Sequence, residues 1–430
     1  MKNPTKKILI IGSGGREHAV CKAFLQSDNN LQLFVLPGNA GTATIAQNIN
    51  NINIDDHQKI IDFCHNNKID LVFIGPEQPL VNGLADDLYQ QQINVFGPSK
   101  KAAQLEGSKA FMKMIATSKN IPTAQYREFI ASEPALDYCQ QLGFPCVIKA
   151  DGLASGKGVI IANSQYEAQL AINSMFAGDF GLAGNKIIVE EFLTGYEVSY
   201  FVVADGINFT PLGFVCDHKK VGENETGLNT GGMGTFSPVA QISNELQQQI
   251  NKQIISPTLL AMQEHNADFC GILFAGLMIT AQGPKLLEFN VRFGDPETQV
   301  LLPRLGKQFL SLILAATQQQ LQNFHLHIDH QQKLVCVVLC ANGYPKQHST
   351  GNPLLLAHIR QSEDCYILHA GTKLIDSNTI ATGGRVLNIV ASAKTFTLAK
   401  QKAYAMLQQI NWQYGFYRLD IAKNALEDAR

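Results

Sequence analysis

The sequence predicts an α/β chain of several domains, opened by a doubly wound parallel sheet. Two observations carry that expectation. Strand and helix patterns alternate over residues 7–100, the rhythm of a parallel sheet. A chain of 430 residues also exceeds what one hydrophobic core holds.

The elements follow in order. Lys7–Ile11 reads as a strand, Glu17–Gln26 as a helix and Gln32–Leu36 as a strand. Leu71–Ile74 is a strand stopped by Gly75-Pro76, and Ile93–Phe96 one stopped by Gly97-Pro98. Ser108 caps a helix that carries Phe111, Met112 and Ile115 on one face. Strand-rich material comes next, at Cys146–Ala150, Val159–Ala162, Lys186–Val189 and Tyr200–Val203. Gln318–Gln332, rich in Gln and His, reads as a linker to a last domain. There the helix Thr395–Ile410 lines up Ala399, Ala403, Met406, Leu407 and Ile410.

Composition excludes several classes. The chain is 45% hydrophobic and 16% charged, as globular chains are, and its net charge of −2 is scattered. Neither a nucleic-acid nor a membrane surface is expected. Ile8–Ile11 is too short for a signal segment, and no apolar run is expected to reach the length of a membrane span. Nine Cys occur without CxxC pairs, and Cys336 and Cys340 lie in an apolar strand around Val335–Leu339. A reducing, cytoplasmic setting without structural zinc is the expectation.

The stretch Leu286–Glu297 carries the most chemistry. Its alternation reads as a strand with Glu288, Asn290 and Arg292 on one face and Leu287, Phe289 and Val291 on the other. A carboxylate and an amide oxygen two residues apart can hold one hard cation such as Mg²⁺. An Arg on that face can grip a phosphate or carboxylate beside it. Gly294-Asp295-Pro296 ends the strand. A half-buried strand with a solvated outer face explains the same alternation equally well.

Other segments are Gly-rich. Gly12-Ser13-Gly14-Gly15-Arg16-Glu17 joins a strand to a helix start, where backbone N–H groups attract phosphate. It departs from the dinucleotide fingerprint, since Glu17 replaces the third Gly and the next strand ends Leu36-Pro37-Gly38 without an acid. A phosphorylated small molecule fits better than NAD, and a turn chosen for geometry alone remains the plain alternative. Lys149–Val159 puts two lysines around three glycines between strands, a hairpin able to fold over triphosphate. Glu190-Glu191-Phe192-Leu193 closes a strand and Glu197 follows, a hinge that can meet adenine and ribose or simply be solvated. Asn229–Gly234 can place backbone N–H groups on a transferring phosphoryl group, or be a mobile surface loop.

Taken in order, these segments resemble the ATP-grasp superfamily, and within it the phosphoribosylamine–glycine ligase family, from Ile8 to about Asp420. The carriers are GSGGREH at Gly12–His18, PGNAGTA at Pro37–Ala43, GPEQPLV at Gly75–Val81 and FGPSKKAAQLEGSK at Phe96–Lys109. They continue with IKADGLASGKGV at Ile148–Val159, DHKKVG at Asp217–Gly222, NTGGMGTFSP at Asn229–Pro238 and EFNVRFGDPETQ at Glu288–Gln299. HAGTK at His369–Lys373 and GGRVL at Gly383–Leu387 complete the series. Cys216 stands where the family usually has Gln, and Leu228 where it usually has Pro.

The resemblance implies a substrate domain over 1–105, an ATP-grasp domain over 106–320 with a small lobe at 122–193, and a C-terminal α+β domain over 328–430. It implies ligation of glycine to 5-phosphoribosylamine with ATP and Mg²⁺ or Mn²⁺, by a monomer or weak dimer. Glu288 and Asn290 would hold the metal, and Lys109, Lys149, Gly156, Lys157 and Gly158 the ATP phosphates. Glu190, Glu191, Phe192, Leu193 and Glu197 would meet adenine and ribose. Arg292, Asn229, Thr230 and Gly231 would sit at the reacting groups. Gly14, Arg16, Gly38, Asn39, Gly41, Thr42, Asp217 and Asp295 would bind substrate. Another ATP-grasp carboxylate–amine ligase, a biotin-carboxylase-like enzyme and a non-catalytic nucleotide-binding regulator remain the rival readings.

Overall fold

The computed structural model of the chain describes residues 5–153 and 158–425. Its first sheet has five strands, all parallel. Lys6–Gly12 lies at its centre between Leu31–Pro37 and Leu71–Ile74, with Gln47–Asn48 and Val95–Phe96 at the edges. Strand order reverses beside Lys6–Gly12, so Gly12 and Ile74 end at a topological switch point, where such sheets bind ligands. The strand expected over Ile93–Phe96 is confined to Val95–Phe96.

A second sheet forms a small antiparallel lobe. Its order is Tyr126–Phe129, Ile187–Glu191, Cys146–Ala150, Val159–Ala162. The helices Ser132–Leu142 and Gln165–Phe176 supply Cys139, Ala168, Ile172 and Met175 to its core.

The third sheet has nine strands. It runs from Gly283–Asn290 through Cys270–Thr280, Tyr196–Asp205, Phe209–Asp217 and Gly234–Ser237. Gln318–Gln332 carries no strand, but the sheet does not stop there. Lys333–Ala341 pairs antiparallel with Gly234–Ser237, and Arg385–Ala393 and Cys365–His369 follow. Backbone hydrogen bonds thus tie the last domain to the strand that leaves the Asn229–Gly234 loop.

Local signals explain the helices. Ser108 Oγ accepts the Phe111 N–H at 3.1 Å, capping Lys109–Ser118. Thr395 caps Phe396–Ile410, which buries the five residues aligned by its sequence and Phe396 as well. One expectation fails. Thr298–Thr317 is a 20-residue helical stretch with mean hydropathy 1.2, apolar enough by composition to cross a bilayer. It is a core element, because Leu301, Leu305, Phe309, Leu312 and Ile313 pack against the first sheet and its helix Gly15–Ser27.

Aromatic rings join the domains. Phe73 of the first sheet stacks on Phe96 at 5.4 Å and lies 6.3 Å from Phe293, which follows the strand Gly283–Asn290. Phe24 meets Phe309 at 4.8 Å. Phe73→Ala should therefore weaken two domains at once, by about 3–5 kcal/mol. Urea unfolding followed by tyrosine fluorescence would check it, and a loss below about 1 kcal/mol would contradict this packing role.

Candidate active site

Glu288 lies across Gly276 on the strand that pairs with Cys270–Thr280. That strand carries a bulge: Gly276 pairs with Glu288 and Leu277 with Leu286, leaving Leu287 over. Phe289 and Val291 are buried, whereas Glu288, Asn290 and Arg292 are half-buried. The expected alternation therefore holds from Glu288 onward. Leu287 does not share the buried face, because the bulge removes it from register.

Burial alone would raise the Glu288 carboxyl, but Lys219, Lys149, Lys109 and Arg292 together hold it below the ordinary range. An ionised carboxylate beside the Asn290 amide oxygen is a hard oxygen donor set. Among the described residues no group of three or more His, Cys, Asp or Glu could hold a metal by itself. A cation here would complete its shell with phosphate and water, which is how Mg²⁺ is usually held. The residues fit that ion.

Arg292 is already engaged. Nε donates to Glu77 Oε2 at 3.1 Å, and Nη2 to Glu106 Oε1 at 2.8 Å and Asn290 Oδ1 at 3.1 Å. Nη1 donates to the Phe293 carbonyl at 3.3 Å. One of its five N–H groups is left for substrate. Burial pushes Glu106 up to about 7 despite Arg292, while Arg292 and Arg16 overcome burial and hold Glu77 at about 2. Sequence reasoning assigned neither glutamate, although both lie in motifs it quoted, GPEQ and LEGSK.

Lys149, expected at phosphate, rests on a buried ionic chain. Lys149 Nζ is 2.9 Å from Glu190 Oε2 and 3.3 Å from the Leu287 carbonyl in the bulge. Lys113, fully buried, sits 3.1 Å from Glu190 Oε1 without hydrogen-bond alignment, so that contact is ionic. Lys113 Nζ also donates to Thr123 Oγ1 at 2.7 Å, and Thr123 Oγ1 to the Leu286 carbonyl at 2.7 Å. Burial pulls Lys113 down to about 8 against the opposing pull of Glu190. Glu190 is therefore committed to two lysines rather than left open for ribose, as its sequence context suggested.

Lys109 Nζ donates to the Gly152 carbonyl at 3.0 Å. Gly158 is buried and its carbonyl accepts the Ala150 N–H at 2.8 Å. Gly156 and Lys157 lie outside the described residues. Glu191 Oε1 accepts from the Gln125 N–H at 3.0 Å and Lys285 at 3.1 Å, Phe192 is exposed and Leu193 is buried. Glu197 bonds Lys219, whose ammonium is also 3.8 Å from Asp217. Lys219 is a further residue sequence reasoning missed, with its DHKK motif as the available signal.

The Asn229–Gly234 loop was expected to offer free N–H groups. The structure uses them instead. Thr230 N–H and Oγ1–H both donate to the Lys219 carbonyl at 2.8 Å. Gly231 N–H donates to Tyr344 Oη at 3.0 Å and Gly232 N–H to Thr230 Oγ1 at 3.0 Å. Asn229 pairs with Lys220 in a short antiparallel ribbon. Arg385 binds the Gly231 and Asp295 carbonyls together. Asp295 Oδ1 accepts Gln299 Nε2 at 2.6 Å, and Arg385 and Arg16 hold its carboxyl low against burial. Asp217 is raised, by burial first. Glu297 is pushed up to about 7 by burial and then by Asp217. Of the two family departures, Cys216 is half-buried with its thiol pushed up to about 12 by burial, and Leu228 is exposed.

The N-terminal loops hold themselves. Asn39 Nδ2 donates to the Ser13 carbonyl at 2.8 Å and the His369 carbonyl at 2.9 Å, and its Oδ1 accepts from Gly41 and Thr42. Thr42 Oγ1 donates to Asn48 Oδ1 at 2.8 Å. Asn39 and Thr42, expected to bind substrate, are spent on this loop's shape. Gly38 has φ +76°, and a Cβ at Gly41 would overlap His18. Gly14 abuts the Asp295 carboxylate, and Arg16 Nη1 donates to the Phe293 carbonyl at 3.0 Å.

Comparisons agree with this geometry. Family models for phosphoribosylglycinamide synthetase match as its N domain at residues 6–106, its ATP-grasp (A) domain at 107–298 and its C domain at 334–424. The chain is 46% identical over 422 residues to a phosphoribosylamine–glycine ligase of Brucella melitensis, covering 98% of each. It is 45% identical over 426 residues to that of Salmonella typhi, covering 98% of this chain and 99% of the relative. The crystal structure of a phosphoribosylamine–glycine ligase from Thermotoga maritima superposes with TM-score 0.85 at 31% identity, over 97% of this chain and 100% of that one. A biotin carboxylase domain from Hydrogenobacter thermophilus shares the fold, with TM-score 0.72 at 15% identity over 96% of this chain and 92% of that one.

The ionic chain behind Lys149 can be tested directly. Lys113→Met should cost about 3–5 kcal/mol, because it strands a buried carboxylate on one partner. Adding Glu190→Gln should recover part of that loss in urea unfolding. Fully additive losses would show that the two side chains do not act as a pair.

Proposed function

The chain belongs to the phosphoribosylamine–glycine ligase family, ATP-dependent enzymes of purine biosynthesis that make glycinamide ribonucleotide, and we infer that it activates glycine as an acyl phosphate beside Glu288. The observation that carries this reading is geometric: Lys149 Nζ reaches the Leu287 carbonyl and Arg292 Nη2 the Asn290 amide oxygen, on either side of Glu288, whose carboxyl the surrounding cations hold low.

The chemistry follows from the leaving group. A carboxylate does not condense with an amine at neutral pH, because its oxygen leaves poorly. When the glycine carboxylate oxygen takes the γ-phosphoryl group of ATP, the bond to the β-phosphate oxygen breaks and ADP departs. The phosphoribosylamine nitrogen then attacks the acyl carbon, loses a proton, and phosphate leaves with the former carboxylate oxygen. No protein nucleophile is required, so positioning and charge stabilisation are the protein's contribution.

In this reading Lys109 and Lys149 meet the nucleotide phosphates, and the spare N–H of Arg292 meets the acyl phosphate. Mg²⁺ or Mn²⁺ held by Glu288 and Asn290 would neutralise charge on the phosphates. Glu190 and Lys113 keep Lys149 in place, and Glu197 does the same for Lys219. The Gly14–Arg16 turn at the switch point is the proposed seat of phosphoribosylamine, between the first sheet and Asp295.

Two outcomes are expected. Glu288→Ala should lower turnover by at least about 10²-fold while the fold persists by circular dichroism, since a charge-stabilising group is removed. Wild-type activity with unchanged metal dependence would refute the metal assignment.

Glycine labelled with ¹⁸O in its carboxylate should give inorganic phosphate carrying one labelled oxygen, together with ADP. Unlabelled phosphate, or AMP as the nucleotide product, would refute the acyl phosphate.

A further inference from the structure

Lys219 is fixed from both sides by a segment some two hundred residues away. The carbonyl of Lys220 accepts from Arg418 Nη1 at 2.8 Å. On the other side, His218 Nε2 accepts the Ala422 N–H at 3.1 Å. His218 Nδ1 then carries the proton and donates to Glu225 Oε1 at 2.9 Å. Arg418 Nη2 grips that same Glu225 oxygen at 2.8 Å.

The segment is itself rigid. Arg418 is nearly inaccessible, and Asp420 accepts from its Nε at 2.8 Å and its Nη2 at 2.7 Å in a fork. Asp420 Oδ2 also takes the Asn224 N–H at 2.8 Å. Tyr404 Oη donates to the Arg418 carbonyl at 2.9 Å and accepts the Ile421 N–H at 3.1 Å, tying the segment to the helix Phe396–Ile410.

The hairpin it grips rests Val221 against the core of the last domain. Among the described residues Thr226–Asn229 pairs only with Lys220–Gly222 in a two-stranded ribbon, and such ribbons are marginal alone. Yet this ribbon follows directly on Lys219, whose ammonium pairs with Glu197 and Asp217 and whose carbonyl anchors Thr230.

We propose that Arg418, Asp420 and Ala422 form a latch that fixes Lys219 and, through its carbonyl, the Thr230 loop, making the C-terminal segment a positioning element for the phosphoryl-transfer step. The proposal rests on the acyl-phosphate reading for its catalytic consequence, but not for its structural one. Losing the latch leaves Lys109 and Lys149 in place, so nucleotide binding is retained while the reacting geometry loosens.

Two full-length variants test it, Arg418→Ala and Asp420→Asn, the second keeping the buried Arg418 volume. Hydrogen exchange of the Thr230 and Met233 amides should accelerate at least tenfold, with the Tyr196–Asp205 strand unchanged. Turnover should fall by about 10²-fold, as misplacement of a reacting group by about 1 Å does, with the KM for ATP within about threefold of wild type. Millimolar guanidinium should restore part of the Arg418→Ala rate. Unaltered exchange at Thr230 in Asp420→Asn, or loss of ATP affinity in step with turnover, would overturn the latch. Should wild type itself fail to form glycinamide ribonucleotide, the functional reading falls and the exchange result still decides the latch.

Discussion

Three of the four cations acting on Glu288 are held from behind by carboxylates of their own. Lys149 has Glu190, Arg292 has Glu77 and Glu106, and Lys219 has Glu197 and Asp217. Bringing such pairs out of water is costly, and their mutual attraction offsets the cost only when geometry is good. What the pairs supply is position. A cation already oriented needs no reorganisation when charge moves on a phosphoryl group, and that preorganisation is the main catalytic lever where no covalent step involves the protein. Lys109 is the exception, anchored by a neutral carbonyl at Gly152.

The rest of the fold serves to bring those pairs together from distant parts of the chain. Glu77 comes from the start of the helix Glu77–Asn82 in the first domain, Arg292 from just after the strand Gly283–Asn290 and Glu106 from the segment between the domains. A separation of the first two domains would break the Arg292 pairs, so the aromatic stack of Phe73 and Phe293 and the ion pairs stabilise the same arrangement. Arg385 and His369 do the equivalent for the last domain. Arg385 clasps Gly231 and Asp295, and the His369 N–H donates to His18 Nδ1 at 2.9 Å. That hydrogen bond needs a neutral His18, and burial keeps its ring deprotonated well below neutral pH.

Much of this was legible in the sequence where a local rule decides. The Ser108 cap, the buried face of Phe396–Ile410 and the parallel order of the first sheet follow from capping and periodicity. The failures share a cause. Period-two reasoning placed Leu287 with Phe289, but a bulge intervened, and nothing in Leu287 itself announces one. The resemblance put Asn39 and Thr42 at substrate; their loop-shaping bonds were not foreseen, and Asn39 reaches as far as Ser13 and His369. Glu190 looked outward-facing because its partner Lys113 lies far off in sequence. Pairings of that kind depend on tertiary contact, which no window of sequence contains.

Glu17 joins these strands of argument. It occupies the place of the third glycine in a dinucleotide fingerprint, a glycine that permits close helix–strand packing. In this chain the packing problem is solved differently. The Glu17 side chain folds back beneath Gly12 and Gly75, at both of which a Cβ would collide with it. One oxygen accepts the Gly14 N–H at 2.6 Å and the other Arg16 Nε at 2.5 Å. The helix start thus meets its own carboxylate, which satisfies an N–H that would otherwise attract phosphate. The glycines that resemble a dinucleotide site therefore make room for the carboxylate that orders this turn, and they leave Arg16 aimed at Phe293 and the strand Gly283–Asn290 beyond.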